Sequence, residues 1–117
     1  MTTKNLDDIS PLTETTLFIL VSLVSGPLHG YAIGKRVRNL SEDRIILSVS
    51  TLYTTLKRML EDGWIERVGL GQGADETGRP RKTYALTERG RSILAAEKQR
   101  LQSLLALVKK QTAGRGI

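Results

Sequence analysis

The chain has 117 residues, of which 39% are hydrophobic and 26% charged, and it contains no cysteine. That length suits one domain with its own core, and the apolar share excludes a wholly disordered chain. With no cysteine and one histidine, a disulfide framework, a thiol nucleophile, a zinc ribbon and a multi-histidine metal site are excluded.

Eighteen Lys and Arg against 12 Asp and Glu give a net charge of +6. The excess is uneven. Residues 1–34 hold Lys4 against Asp7, Asp8 and Glu14, whereas residues 35–117 hold 17 cations and nine acids. Such a basic domain implies an anionic partner, either nucleic acid or a membrane surface. The first residues, Met1 to Asp8, show no basic segment leading into an apolar one, so no signal peptide is expected. The longest apolar run, 17–24, falls far short of the ~20 residues of a membrane span. A soluble cytoplasmic protein is the expectation.

A first helix is predicted from Pro11 or Leu12 to about Val24, with Ser10 as N-cap before a proline at N1. Its second half is apolar nearly all round, which suits burial in the core or against another subunit. Gly26-Pro27-Leu28-His29-Gly30 reads as a turn, with His29 capping or packing. A second helix, 31–40, turns Ile33, Val37 and Leu40 inward and Lys35, Arg36 and Arg38 outward. After the break at 41–44 and an apolar link at 45–47, a third helix is predicted over 50–62, closed by Gly63. Leu52, Leu56, Met59 and Leu60 share one face of it, and Ser50, Thr54, Lys57, Arg58 and Glu61 lie opposite.

Two strands follow at 64–68 and 82–86, joined by a glycine-rich, charged loop at 69–81. Gly69-Leu70-Gly71-Gln72-Gly73 loosely resembles a phosphate-cradling loop, but no helix opens after it, so it is read as a wing. Trp64 is assigned to the core beneath that wing, or to a ligand-stacking place in a dimer groove. A last helix starts after Thr87 and runs to about Lys110. Leu94, Leu101 and Val108 recur every seven residues along it, widened by Ile93, Leu104, Leu105 and Leu107. So long an apolar stripe needs a partner surface.

The order helix, helix, helix, hairpin, helix predicts a mainly α fold with a small β-hairpin. It is a winged helix-turn-helix carrying a long C-terminal helix. The domain plan is an N-terminal arm (1–10), the winged helix-turn-helix (11–87), a dimerisation helix (88–110) and a flexible tail (111–117). The third helix is the candidate reader of the DNA major groove, since hydroxyls and Lys/Arg there reach base edges and phosphates. At the hairpin tip, Gly78-Arg79-Pro80-Arg81-Lys82 sets three cations where they can straddle a phosphate or enter a minor groove.

Three blocks resemble the PadR family of transcriptional regulators. They are Pro27-Leu28-His29-Gly30-Tyr31-Ala32-Ile33, then Leu52-Tyr53-x-x-Leu56 through Gly63-Trp64-Ile65, then Gly78-Arg79-Pro80-Arg81-Lys82-Thr83-Tyr84-x-Leu86-Thr87-x-x-Gly90. The resemblance spans roughly 12–108 and implies a homodimeric repressor of neighbouring genes or its own, with double-stranded DNA, a pseudo-palindromic operator, as partner. By that similarity Ser50, Thr51, Tyr53, Thr54 and Lys57 on the third helix, with Arg79, Arg81 and Lys82 on the wing, are the DNA-contact candidates. Tyr53 lies on the flank of the apolar stripe, where it can reach a phosphate or pack. Leu94, Leu101, Leu104, Leu105 and Val108 are the dimerisation candidates.

The chain departs from the family's pattern at Ala32, where Glu is frequent, and at Val49-Ser50-Thr51, where Pro-Gly-Thr is frequent. It is similar to the short members with one terminal helix, in which a small-molecule effector would bind at the dimer interface. That helix holds no aromatic residue. No metal, cofactor or enzymatic activity is expected, because no histidine pair, cysteine or nucleophile elbow is present. The alternative from another class is a winged-helix protein-interaction module without specific DNA binding.

Overall fold

The computed structural model describes residues 12–74 and 80–113, with the backbone alone at 70–74, 80 and 81. Its elements are α1 (Glu14–Ser22), β1 (Leu28–His29), α2 (Gly30–Leu40), α3 (Val49–Glu61), β2 (Ile65–Ala74), β3 (Pro80–Leu86) and α4 (Glu88–Thr112). The strands form one antiparallel sheet in the order β1-β3-β2. This is the predicted winged helix-turn-helix with a long terminal helix, and its core is one continuous cluster. Ile19, Leu20 and Leu23 of α1 and its cap meet Ile33 and Val37 of α2, Leu52, Leu56 and Met59 of α3, and Ile93 of α4. Ile65, Tyr84 and Leu86 bring the sheet onto that cluster.

Several boundaries differ from the sequence reading, each for a local reason. α1 begins later than predicted because Thr13, whose hydroxyl accepts the Thr16 N–H at 3.2 Å, is its cap. Ser10 and Pro11, the predicted start, lie outside the described residues, as does the predicted arm 1–10. α1 also closes at Ser22, whose buried hydroxyl donates to the Ile19 carbonyl at 2.6 Å. Leu40 was predicted to face inward but is 41% exposed, because the chain leaves α2 there and Ser41 takes the buried place. Ser41 donates to the Arg38 carbonyl and accepts the Ile45 N–H, which binds both ends of the turn between α2 and α3. In that turn Glu42 and Asp43 adopt positive φ of 54° and 64°, and Arg38 holds Asp43 through an ion pair of 2.9 Å.

The hairpin is longer than the strands predicted at 64–68 and 82–86. β2 continues to Ala74 and β3 begins at Pro80, with register irregularities between Arg67 and Leu70 and between Leu70 and Ala74. Bulges of this kind absorb glycines that a regular ladder would exclude. Leu28 and His29, predicted as turn, pair with Tyr84 and Thr83.

One junction joins α3, the sheet and α4. Gly63 takes φ +76°, a left-handed conformation that ends α3 at little cost for glycine. The Thr87 hydroxyl donates to the Gly63 carbonyl at 2.6 Å and accepts the Gly90 N–H at 3.0 Å. The Thr87 N–H in turn donates to the Trp64 carbonyl at 3.1 Å. A methyl at position 90 would stand 2.0 Å from that same carbonyl oxygen, so only glycine fits. α4 is further favoured by Glu88 in its first turn and Lys109 and Lys110 in its last, matching the helix dipole. It runs two residues beyond its predicted end, into the segment read as tail; residues 114–117 lie outside the described residues.

A second tie joins α4 to the start of α1. Glu97 is 1% exposed, accepts the Leu12 N–H at 2.7 Å and is paired with Arg100. Burial pushes its carboxyl up, but the hydrogen bonds from Arg100 and Leu12 outweigh that and hold it below the ordinary range. A depressed carboxylate stabilises the fold above its unfolded value of ~4.3, and that stability is lost as pH falls through the folded value. Glu97→Gln is therefore expected to melt below the parent near neutral pH, with the gap closing as pH drops under ~4.3. A gap independent of pH would contradict the assignment.

Gly90→Ala is expected to cost about 3 kcal/mol, the upper end for overpacking, because the obstructing atom is backbone. In a thermal melt that corresponds to a loss of roughly 10 °C. An unchanged melting temperature would show that the α3–α4 junction yields.

Candidate nucleic-acid interface

α3 presents two opposed faces. Leu52, Leu56 and Met59 anchor one in the core, while Ser50, Thr54 and Lys57 are all exposed on the other. Ser48 caps the helix, accepting the Thr51 N–H at 3.1 Å. Its hydroxyl also donates to the Thr51 hydroxyl at 2.9 Å, so Thr51 is engaged in fixing the helix start while remaining on the surface. α3 opens at Val49, one residue before the predicted start, and Val49 is 74% exposed.

Tyr53 is partly exposed, and the hydroxyl end of its ring lies against α2. A methyl on Gly30 would lie 2.5 Å from the Tyr53 hydroxyl oxygen, so the phenol rests directly on the first residue of α2. Of the two alternatives open for Tyr53, the packing one is observed, its phenol lying against α2 while the residue stays 43% exposed. Behind it lies Tyr84. Burial pushes the Tyr84 hydroxyl up, Arg67 across the strand pair pulls it down, and the neighbouring Tyr53 adds a smaller upward push.

The sheet sets the wing beside α3. Lys82 is exposed on β3, with Leu70 as its partner on β2. Arg81 precedes it on β3, where only backbone is described, and Arg79 lies outside the described residues. Trp64 packs in the core at 7% exposure and does not line the apolar groove between α1 and α4. His29 caps α2, its Nδ1 accepting the Ala32 N–H at 3.2 Å. Among the described residues no group of His, Cys, Asp and Glu could hold a metal ion, and no helix is long and apolar enough to cross a membrane.

Sequence reasoning missed Val49 and Ile46, which stand exposed at and just before the start of α3. Ile46 falls in the apolar link at 45–47, and Val49 in the segment before the predicted start of the helix. Their exposure follows from the Ser48 cap, whose position sets which side of the first turn faces out. An apolar side chain at that place is the kind that packs against a thymine methyl.

A capped, core-anchored α3 with a polar outer face, an adjoining α2 and a sheet-borne wing define a winged helix-turn-helix of the transcription-regulator class. Residues 19–96 match the transcriptional regulator PadR-like family, and the chain belongs to it. It is similar to a PadR family transcription regulator from Clostridium difficile, with 29% identity and a TM-score of 0.67, covering 87% of this chain and all of that one. It is also similar to Bacillus subtilis PadR in complex with operator DNA, at 28% identity and a TM-score of 0.58. That match covers 68% of this chain and 44% of the other. A curated relative, an uncharacterized 37.1 kDa protein in transposon TN4556 of Streptomyces fradiae, is 34% identical over 84 residues. The match takes in 72% of this chain but spans only 22% of that relative's length.

Proposed function

We infer that the chain is a homodimeric, sequence-specific DNA-binding repressor that holds α3 in the major groove and the wing against the flanking backbone. The observation that carries the reading is the outer face of α3, where Ser50, Thr54 and Lys57 line up exposed while the opposite face is locked in the core. The similarity to Bacillus subtilis PadR, seen with operator DNA, supports the same use of this surface. Ser50 and Thr54 act on base choice. Lys57, Arg79, Arg81 and Lys82 add phosphate affinity that is indifferent to sequence. The winged helix-turn-helix is taken as residues 11–87, and the helix that follows pairs two subunits.

The dimer reading rests on α4. Leu101, Leu104, Leu105, Leu107 and Val108 remain about half exposed, and Leu94 is half buried above them. Between α1 and α4 runs an apolar groove of about 460 Å³, lined among others by Phe18, Val21, Leu101 and Leu105. Covering the exposed half of each such side chain returns on the order of 1 kcal/mol, so a second α4 laid along this face stabilises both. An effector entering the groove would meet leucine methyls and one ring, Phe18, which favours an aliphatic molecule over a flat aromatic one.

Two measurements test the reading. Fluorescence anisotropy with DNA from upstream of its own gene should give affinity that falls steeply with salt and resists unrelated competitor. Because the dimer carries each side chain twice, Lys57→Ala is expected to lower the salt slope by about 1.8, and Arg79→Ala/Arg81→Ala by about 3.6. Variants that bind like the parent would remove these residues from the interface. Absence of binding at low salt would favour a protein-interaction module instead. For the dimer, Leu101→Glu/Leu104→Glu is expected to give monomers or insoluble chain, and an unchanged soluble dimer by light scattering would refute the α4 interface.

A further inference from the structure

We propose that His29, Tyr31 and Lys35 form a preassembled clamp for one DNA phosphate, in addition to the contacts of α3 and the wing. The proposal rests on the DNA-binding reading above and names a surface outside it. Tyr31 is 66% exposed, yet its ring is not loose. It stacks on the His29 ring with centroids 6.4 Å apart and planes 8° from parallel. His29 is itself fixed as the cap of α2 and by its backbone place opposite Thr83 of β3. On α2, one turn after Tyr31, Lys35 sets its Nζ 5.5 Å from the Tyr31 ring centroid. Histidine, phenol and ammonium therefore make one column whose geometry exists without a partner.

Three observations assign a phosphate to this column. First, α2 carries Lys35, Arg36 and Arg38 but no acidic residue, so the charge its outer side offers is positive. Arg38 is satisfied by Asp43, whereas Lys35 is set against a neutral ring, which orders an ammonium without neutralising it. Second, the column is continuous with the reading face. The Tyr53 phenol rests on Gly30, immediately beside Tyr31, and Thr83, opposite His29, adjoins Lys82 at the wing. Third, when the second helix of a helix-turn-helix enters the major groove, the first crosses the sugar-phosphate backbone. Here that first helix is α2. The Tyr31 hydroxyl donates one hydrogen bond to the phosphate, and the Lys35 ammonium supplies the charge. Neither reaches a base edge, so the clamp adds affinity and register without sequence preference.

The test is anisotropy over a salt series with two duplexes, one selected by the parent from a random library and one unrelated duplex of equal length. Because the dimer carries the clamp twice, Lys35→Ala is expected to weaken binding to both by the same factor, about thirtyfold near 0.15 M salt, and to reduce the salt slope by about 1.8. Lys35→Arg should restore the slope. Tyr31→Ala should weaken both duplexes while leaving the slope nearly unchanged, because the group it removes is neutral. All three variants should melt with the parent, since Tyr31 and Lys35 are on the surface. Parent-like affinity and slope in Lys35→Ala would overturn the proposal, as would a loss confined to the selected duplex. A parent with no salt-sensitive affinity for either duplex would overturn the DNA-binding reading itself, and the clamp with it.

Discussion

The arrangement depends on the contact between the end of α3 and the start of α4. Through one hydroxyl and one N–H, Thr87 bridges the Gly63 and Trp64 carbonyls and also caps α4. Gly90 lets α4 approach the Trp64 carbonyl more closely than any side chain would allow. α3, both main strands and α4 consequently leave one rigid point. Whatever fixes the direction of α4 also fixes where the outer face of α3 stands.

Around that point the chain separates its chemistry by face. One core takes Ile19 and Leu20 of α1, Ile33 and Val37 of α2, and Leu52, Leu56 and Met59 of α3, while α4 keeps its distal leucines outside it. α2 carries three cations and no acid, α3 carries Lys57 and Arg58 beside Glu61, and ion pairs join Asp43 to Arg38 and Glu14 of α1 to Arg44. The buried Glu97 is the exception. It draws the beginning of α1 onto α4 beside the apolar groove, so the groove's two walls are held by a charged hydrogen-bonded tie as well as by packing.

Much of this is legible in the residues, and the illegible part has physical causes. The stripe Leu52, Leu56, Met59 and the glycine at 63 define α3 because periodicity and a left-handed stop are local signals. The threonine and glycine at 87 and 90 were noticed as a motif, but their reason is a carbonyl more than 20 residues away, which no local pattern reveals. Helix starts are shifted where several hydroxyls compete for the cap, by one residue in α3 and by more in α1. Thr13 and Ser48 hold the caps of α1 and α3, and each shifts which neighbouring side chains face water. The exposure of Val49 and Ile46 is not legible for that reason, because hydrophobicity alone cannot say which side of a first turn is solvent. The stacking of His29, Tyr31 and Lys35 was equally hidden, since it depends on ring planes rather than on spacing.

The central claim is that α4 pairs two subunits so that two α3 helices meet one duplex along a two-fold axis. Hydroxyl-radical footprinting of the bound duplex measures this directly. The account predicts two protected patches related by a dyad and centred about one helical turn apart, ~34 Å, or a multiple of it. A single protected patch, or protection without dyad symmetry, would contradict it.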